Sequence, residues 1–387
     1  MARRVNTTLH MVLSADAQGR NGSAPADPQA RLRKIVDSAL PGAHILRITP
    51  LKADTAAKDE TKKGTGYGAP LRVELMHEGK RRALVLHTAT PNDFGHDRRA
   101  DRAAAALLAA DTFGLVADHV ALIDVGAYRD GDDFVSLAGT GEFYVLTTHA
   151  EGRIYADDLR RIAERGQVTD SDRARSLTLV RYLAKLHAER PQRAKPVYER
   201  FWRDTLGSGE GIFGIADGYA EDVPRAPRAR LERIEEACLK WRFRLRRRSE
   251  RLRRTHGDFH PFNVLFDDAS RLSLLDTSRG SVGDPADDVT CMAVNYAFFA
   301  LGHPGAWRAA FAPLWYAFWQ SYLDATHDDE LVEVVAPLLA WRGLVLANPA
   351  WYPDLAAPDR ERILSFVEHA LASERFAPEM AAEFFET

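Results

Sequence analysis

The chain has 387 residues, which is enough for two or three domains with a substantial core. Hydrophobic residues make up 45% and charged residues 28%, a composition typical of soluble globular proteins. The formal net charge of −3 predicts neither nucleic-acid binding nor attraction to a membrane. Two cysteines are too few for a disulfide framework, and no run approaches the roughly 18 apolar residues of a membrane span. We therefore expect a cytoplasmic protein.

The first part of the chain has the pattern of a small sheet domain. Residues 1–28 are rich in small, polar and proline residues, and we expect a flexible leader there. A domain is predicted over residues 29–148, an antiparallel sheet with a long Ala-rich helix at Arg98–Ala110 between its third and fourth strands. The five predicted strands are His44–Leu51, Leu71–His77, Arg82–Thr88, Val120–Tyr128 and Glu142–Thr148, and a helix at Ala30–Leu40 precedes them.

Residues 149–387 have a mainly helical pattern, and we assign them to a second, larger domain. One short hairpin interrupts the helices, with strands at Val264–Phe266 and Leu272–Leu275 on either side of a polar turn. The predicted helices are Asp157–Glu164, Ser171–Glu189, Arg228–Arg253, Asp287–Leu301, Trp307–Asp324, Asp329–Ala347, Pro358–Ser373 and Pro378–Phe385.

The most informative motif lies immediately before this hairpin and continues beyond it. Asp258 follows His256-Gly257, Asn263 comes five residues later, and Asp276 ends the second strand. Phosphoryl transfer requires positioning and charge neutralisation, and Asp258 can orient an acceptor hydroxyl and take its proton. The oxygens of Asn263 and Asp276 are ligands that Mg²⁺ prefers. The spacing matches that of a kinase catalytic loop.

Two further motifs carry a resemblance to the aminoglycoside phosphotransferase and choline kinase family. They are Leu183–His187, upstream of the loop, and Gly283–Asp288, downstream of it. The resemblance implies an α+β, bilobal protein-kinase-like fold, with a small antiparallel β-sheet N-lobe containing one helix and a larger, mainly helical C-lobe. It also implies that Asp288 braces the catalytic loop and that His256 hydrogen-bonds the loop backbone.

The same resemblance implies the reaction and its components. The donor would be ATP or GTP with Mg²⁺, and the acceptor a hydroxyl of an amino sugar, amino alcohol or related small metabolite or antibiotic. Such a protein would be a monomer or homodimer. A protein kinase is disfavoured, because no Asp-Phe-Gly and Ala-Pro-Glu pair brackets an activation loop.

A glycine-rich loop lies between the first two predicted strands. Gly64, Gly66 and Gly68 would let backbone N–H groups approach phosphate oxygens, and Lys62 and Lys63 would add positive charge. The alternative is a flexible turn, which such a stretch can equally be. It is not a Walker loop, because no Gly-Lys-Ser/Thr opens a helix here.

The third strand departs from the family pattern. Where the family usually has a lysine paired with a helix glutamate, this chain has His87, and the helix partner would be Asp101. His87 is either a protonated phosphate contact paired with Asp101 or an ordinary strand-end residue, with Lys62 or Lys63 as substitute cation. Loss of one charge-assisted contact would weaken transfer about ten- to hundredfold. A catalytically impaired pseudokinase or nucleotide-binding scaffold is therefore the alternative function.

Several other patterns have two interpretations each. The eight arginines of Arg242–Arg254 form a solvated face with internal ion pairs or grip an anionic partner, and the first is favoured. His256 and His260 could bind a metal, but no third ligand lies nearby. Arg279 could touch phosphate or an acidic substrate, or pair with Asp284 or Asp287.

The C-terminal helices are rich in aromatic and acidic residues. The aromatic side chains could stack on a sugar or an alkylammonium group, or form the core. The acidic ones could bind a polycationic acceptor or be ordinary surface. The residues concerned are Trp307, Trp315, Tyr316, Trp319, Tyr322, Trp341, Trp351, Tyr352, Asp324, Asp328, Asp329, Glu330 and Glu333.

Overall fold

The computed structural model describes residues 28–51, 70–129, 133–277 and 279–386. The chain divides into two compact units, Met1–Leu146 and Thr147–Thr387. The predicted leader and the predicted loop residues Lys62, Lys63, Gly64, Gly66 and Gly68 lie outside the described residues.

The first unit is built around an antiparallel sheet of three strands in the order β1-β2-β3. Alternate residues of the central strand face a helix, as the period of two requires: Val73 and Leu75 pack with Leu32 and Val36 in a small core. The elements are α1 (Pro28–Ala39), β1 (His44–Pro50), β2 (Leu71–His77), β3 (Lys80–Leu86) and α2 (Arg99–Thr112), followed by a separate hairpin of β4 (Gly126–Tyr128) and β5 (Phe134–Ser136).

The expectation of one five-stranded sheet was wrong. Of the segment Val120–Tyr128 only β4 is a strand, and it pairs with β5 rather than with the sheet. Glu142–Thr148 forms no strand, and Tyr144, Val145 and Leu146 are each 88–90% exposed. An alternating apolar pattern becomes a strand only where a neighbouring backbone completes the hydrogen bonds, and the described residues provide none here.

The second unit is mainly helical. Its helices are α3 (Tyr155–Arg165), α4 (Asp170–His187), α5 (Ala194–Gly207), α6 (Ile212–Asp217), α7 (Arg228–Leu245), α8 (Pro285–Ala300), α9 (Ala312–Thr326), α10 (Ala336–Ala347), α11 (Ala357–Ala372) and α12 (Ala382–Phe385). Sequence patterns missed α5 and α6. They also made two helices too long: α7 ends at Leu245, and only a 3₁₀ turn, Leu331–Glu333, precedes α10.

The large aromatic side chains of α9 and the turn before it form the core of this unit. Trp307, Trp315, Trp319 and Tyr322 are each at most 2% exposed and pack edge-to-face or tilted against neighbouring rings. They therefore give the helical unit its hydrophobic stabilisation and are not available to stack on an acceptor. Among the described residues, no helix has both the length and the apolar character needed to cross a bilayer.

Two small sheets frame the segment that carries the predicted motif. The strands β6 (Arg153–Ile154), β8 (Val264–Phe266) and β9 (Leu272–Leu274) pair in the order β6-β8-β9. Ahead of them β7 (Arg253–Arg254) pairs with β10 (Val282–Gly283). Residues 255–263 thus run from one sheet to the other, with both ends fixed by backbone hydrogen bonds.

Candidate active site

A buried carboxylate at the start of α8 holds the loop 255–263 in place. Asp288 is fully buried, and its two oxygens accept hydrogen bonds from the backbone N–H groups of His256 (2.7 Å) and Gly257 (2.8 Å). The Nε2 atom of His187 lies 3.1 Å from the same carboxylate, and the other ring nitrogen is 2.6 Å from the hydroxyl of Tyr322. A buried carboxylate with this many donors is a rigid support.

Only glycine fits at position 257. Its φ of +85° lies in the left-handed region, and a Cβ atom there would come within 2.6 Å of the carbonyl oxygen of Gly280. The glycine of the motif therefore serves the turn that delivers Asp258 to the site.

The two histidines of the loop brace it through hydrogen bonds to its backbone. The Nδ1 atom of His256 accepts from the backbone N–H of Asp258 (3.3 Å), and the Nδ1 atom of His260 accepts from that of Phe262 (3.2 Å). Among the described residues, no group of three or more His, Cys, Asp or Glu side chains could hold a metal ion.

Asp258 is surrounded by positive charge. Its Oδ1 atom accepts from Arg342 Nη1 (3.0 Å) and Arg279 Nη1 (3.1 Å), and its Oδ2 atom lies 3.5 Å from His260 Nε2. Burial opposes ionisation, but the hydrogen bond from His260 and the charges of Arg342 and Arg279 outweigh it. The pKa of Asp258 is therefore held well below its ordinary range.

Arg342 is the residue of the site that sequence reasoning missed. It belongs to α10, lies 84 residues from Asp258, and is almost fully buried. Besides Asp258 it donates to the carboxylate of Asp287 (2.6 Å) and to the carbonyl oxygen of Gly257 (3.1 Å). No short motif marks such a residue; the one available signal was an arginine in an otherwise apolar helix.

Asp287 is the second carboxylate on Arg342. Burial raises the pKa of Asp287 to about 6, an effect that the charge of Arg342 reduces and that of Asp288 adds to. Asp287 therefore changes charge nearer to neutral pH than an ordinary aspartate, in direct contact with the arginine that holds Asp258.

Arg279 does not form the ion pair with Asp284 or Asp287 that the sequence left open. Its Nη1 atom bonds Asp258, and its Nε atom bonds Glu210 at 3.0 Å. Asp284 instead caps α8 and binds Arg251 through both of its oxygens.

The ion pairs of the arginine run 242–254 join it to residues distant in the sequence rather than to one another, and one of its members is not solvated. Arg251 is buried and pairs with Asp284 and with Asp328. Arg248 pairs with Glu333 on the surface. Two of the acidic residues considered for a polycationic acceptor, Asp328 and Glu333, are therefore partners of this run.

A backbone hydrogen bond joins the two segments that carry the predicted metal ligands. The side-chain nitrogen of Asn263 donates to the carbonyl oxygen of Asp258 (3.1 Å), which leaves its oxygen for a cation. The carbonyl oxygen of Asn263 accepts from the N–H of Leu275 (2.9 Å), so Asp276 directly follows a residue bonded to Asn263. Asp276 is exposed, with a left-handed φ of +44°. Both are hard oxygen donors, and they fit Mg²⁺.

The predicted pair of His87 and Asp101 does not form. Within the described part of the chain His87 is exposed just beyond β3, and no hydrogen bond or ion pair joins it to Asp101. Asp101 accepts a hydrogen bond from the backbone N–H of Arg98 (2.8 Å) and so caps the start of α2. The carboxylate is held by the helix end because a first-turn acid stabilises the unpaired N–H groups there.

Several solved structures resemble this chain at low sequence identity. The solved structures that resemble the chain include glucosamine kinase (18% identity, covering 59% of this chain and 57% of that one, TM-score 0.36). They also include the gentamicin–APH(2")-IIa complex (13%, 93% and 99%, TM-score 0.32) and a Plasmodium vivax ethanolamine kinase (12%, 88% and 85%, TM-score 0.35). The match with this glucosamine kinase structure thus spans little more than half of its length. No curated protein matches it.

The family itself is identified by sequence. The model of the phosphotransferase enzyme family matches residues 71–326, two thirds of the chain, and this range includes Asp258, Asn263, Asp276 and Asp288. The match confirms the resemblance read from the motifs, and the α+β class with small antiparallel sheets is confirmed as well. The chain belongs to the phosphotransferase enzyme family.

Proposed function

We propose that this protein is a small-molecule kinase, which transfers the γ-phosphoryl group of ATP or GTP to a hydroxyl of an amino sugar, an amino alcohol or a related metabolite. The observation that carries the proposal is the loop 255–263, which hydrogen bonds hold in place. Asp288 fixes the backbone of His256 and Gly257, and Asn263 is tied to the carbonyl of Asp258. One rigid segment therefore presents a base and a metal ligand together.

Asp258 orients the acceptor hydroxyl. With its pKa well below the ordinary range it stays ionised at neutral pH, so it accepts a hydrogen bond from the hydroxyl. It is a weak base, but in a loose transition state the proton leaves late, when bond formation to phosphorus has made the hydroxyl acidic. The acceptor meets Oδ2 beside His260, whose Nε2 atom lies 3.5 Å away, because both arginines already occupy Oδ1.

Asn263 and Asp276 are the residues that would hold Mg²⁺. When bound, the ion neutralises charge on the phosphates and helps to align the donor. The role of the chain is to keep two hard oxygen donors at the end of one hairpin, which the hydrogen bond between Leu275 and Asn263 does. Lys62, Lys63 and the glycines at 64, 66 and 68 stay a proposal for the phosphate-covering loop.

The test is nucleotide turnover with matched variants. The wild-type protein with Mg²⁺ and ATP or GTP is assayed against glucosamine, ethanolamine and related hydroxyl compounds, with product identified by mass. Asp258→Asn should lose transfer while remaining folded, and Asp268→Asn, an exposed aspartate in the neighbouring turn, should retain it. Full transfer by Asp258→Asn would remove the residue from the proposed role.

One observation favours a second candidate, a nucleotide-binding scaffold with impaired catalysis. His87 is exposed and lies apart from Asp101, so this pair cannot replace the lysine–glutamate pair of the family. A scaffold would bind nucleotide, measured by calorimetry with and without Mg²⁺, and show no turnover with any acceptor. Turnover above that of Asp258→Asn decides for the kinase.

A further inference from the structure

Two arginines hold one oxygen of the Asp258 carboxylate, the one beside the oxygen that the acceptor would meet. Arg279 and Arg342 both reach the carboxylate within 3.1 Å. Some of the features that would suit a polycationic acceptor are engaged elsewhere: the tryptophans of α9 form the core, and Asp328 and Glu333 pair with Arg251 and Arg248. A cation placed next to Asp258 would therefore meet two guanidinium groups at close range.

The two arginines differ in their freedom to bind a ligand. Arg342 is buried, stacks 3.9 Å above the ring of Trp341, and is fixed by Asp287 and Gly257. Arg279 lies 5.2 Å from the centroid of the same ring, and a quarter of its side chain is exposed. Only Arg279 can meet a molecule that enters from solvent.

The partner of Arg279 is easily displaced. Its Nε atom is paired with Glu210, whose side chain is 70% exposed on the short segment between α5 and α6. An ion pair with one well-exposed partner contributes little to stability, because water and salt screen the attraction and holding the side chains in place costs entropy. An anion from solution could take the place of the Glu210 carboxylate without disturbing Asp258 or Arg342.

We propose that the acceptor carries an anionic group, a carboxylate or a phosphate, which binds Arg279 in place of Glu210 while its hydroxyl meets Asp258. This inference rests on the proposed kinase function, but it replaces the amino sugar and amino alcohol proposed there as acceptors with an anionic class. Because Arg279 bonds Asp258 directly, the anion and the hydroxyl must lie within a few bonds of each other in the acceptor. A hydroxy acid, a hydroxy amino acid or a phosphorylated polyol has this arrangement.

Matched acceptor pairs test the charge requirement. The holoenzyme with Mg²⁺ and nucleotide is assayed with glycerate against glycerol, gluconate against glucose, and serine against ethanolamine. The expected KM is at least about tenfold lower for the anionic member, the effect of one charge-assisted hydrogen bond. Equal or better use of the neutral or amine member overturns the inference.

Two variants of opposite charge should change the KM for the anionic acceptor in opposite directions. Arg279→Gln should raise the KM for the anionic acceptor about ten- to hundredfold with a smaller change in kcat. Glu210→Gln should lower that KM, because it removes the competing carboxylate. If Glu210 instead recognises an amine, Glu210→Gln raises the KM, and the inference fails. The controls are Arg271→Gln and Glu221→Gln, which break exposed ion pairs elsewhere.

Failure of the kinase proposal is separable from failure of this one. If no acceptor is phosphorylated, the kinase proposal falls, and binding of glycerate and gluconate is then measured by calorimetry with ADP and Mg²⁺ present. Binding that weakens at least about tenfold in Arg279→Gln supports the anion site. Absent binding, or binding that Arg279→Gln leaves unchanged, overturns it.

Discussion

Asp288→Asn is the sharpest test of how this site is held together. The asparagine has the size of the aspartate, but it offers one acceptor oxygen where two are used, by His256 N–H and Gly257 N–H. In this variant the backbone N–H of His256 or of Gly257 faces the side-chain NH₂ group of the asparagine. An unsatisfied buried donor costs about 1–3 kcal/mol, and the remaining bond is weakened by loss of charge, so we expect a total of about 2–5 kcal/mol.

The loop that carries Asp258 should shift when this support is lost. A misplacement of about 1 Å lowers the rate of an oriented reaction by about a hundredfold, so kcat should fall by that order while the KM for nucleotide changes little. Stability is measured by urea unfolding and turnover by a coupled assay for nucleoside diphosphate, both on purified, folded protein.

Asp284→Asn is the matched control. Asp284 is equally buried at the start of the same helix, but it binds Arg251, Tyr198 and the N–H of Ala286 rather than the catalytic loop. We expect a comparable loss of unfolding free energy with a much smaller loss of kcat. Equal losses of kcat in the two variants would show that Asp288 acts through general stability, and the positioning argument would be wrong.

Three further changes follow from the charges of the site. Arg342→Met removes one guanidinium from Asp258, so the pKa of Asp258 should rise and the acidic limb of the pH–kcat/KM profile should move to higher pH. The same change leaves the buried Asp287 without its partner, which should lower the free energy of unfolding by about 3–5 kcal/mol. Burial raises the pKa of Asp287 to about 6 from 3.8. Because the folded state then binds this proton more tightly than the unfolded state, the free energy of unfolding should fall by up to about 3 kcal/mol between about pH 4 and pH 7, and Asp287→Asn should flatten this slope in urea titrations. Asn263→Ala and Asp276→Asn should each raise the Mg²⁺ concentration for half-maximal turnover by about tenfold or more, measured by metal titration.

The part of the site that sequence could predict is the part encoded locally. The hairpin β8–β9 has short apolar segments on both sides of a turn, and Asp267 stabilises that turn by accepting from the N–H groups of Ala269 (2.9 Å) and Arg271 (2.8 Å). Its strands, and the spacing of Asp258, Asn263 and Asp276 around it, therefore follow from neighbouring residues alone.

The part that sequence could not predict depends on distant contacts. Arg342 and Asp258 meet across 84 residues, and nothing beside either one specifies the pair. Asp101 had two available partners, and the nearby helix end took it rather than His87. Glu142–Thr148 has the apolar, β-branched and aromatic composition of a strand, but pairing depends on a neighbour that the pattern does not reveal.

His260 and the two arginines give Asp258 a property that suits phosphoryl transfer and would hinder other chemistry. A general base for proton abstraction works best with a pKa near the operating pH, whereas the pKa of this carboxylate is pushed far below it. In a loose transition state little of the proton has moved, so a fixed, permanently ionised acceptor of a hydrogen bond is sufficient. Because Arg279 also faces solvent, the same charge that keeps Asp258 ionised makes the charge of the acceptor matter.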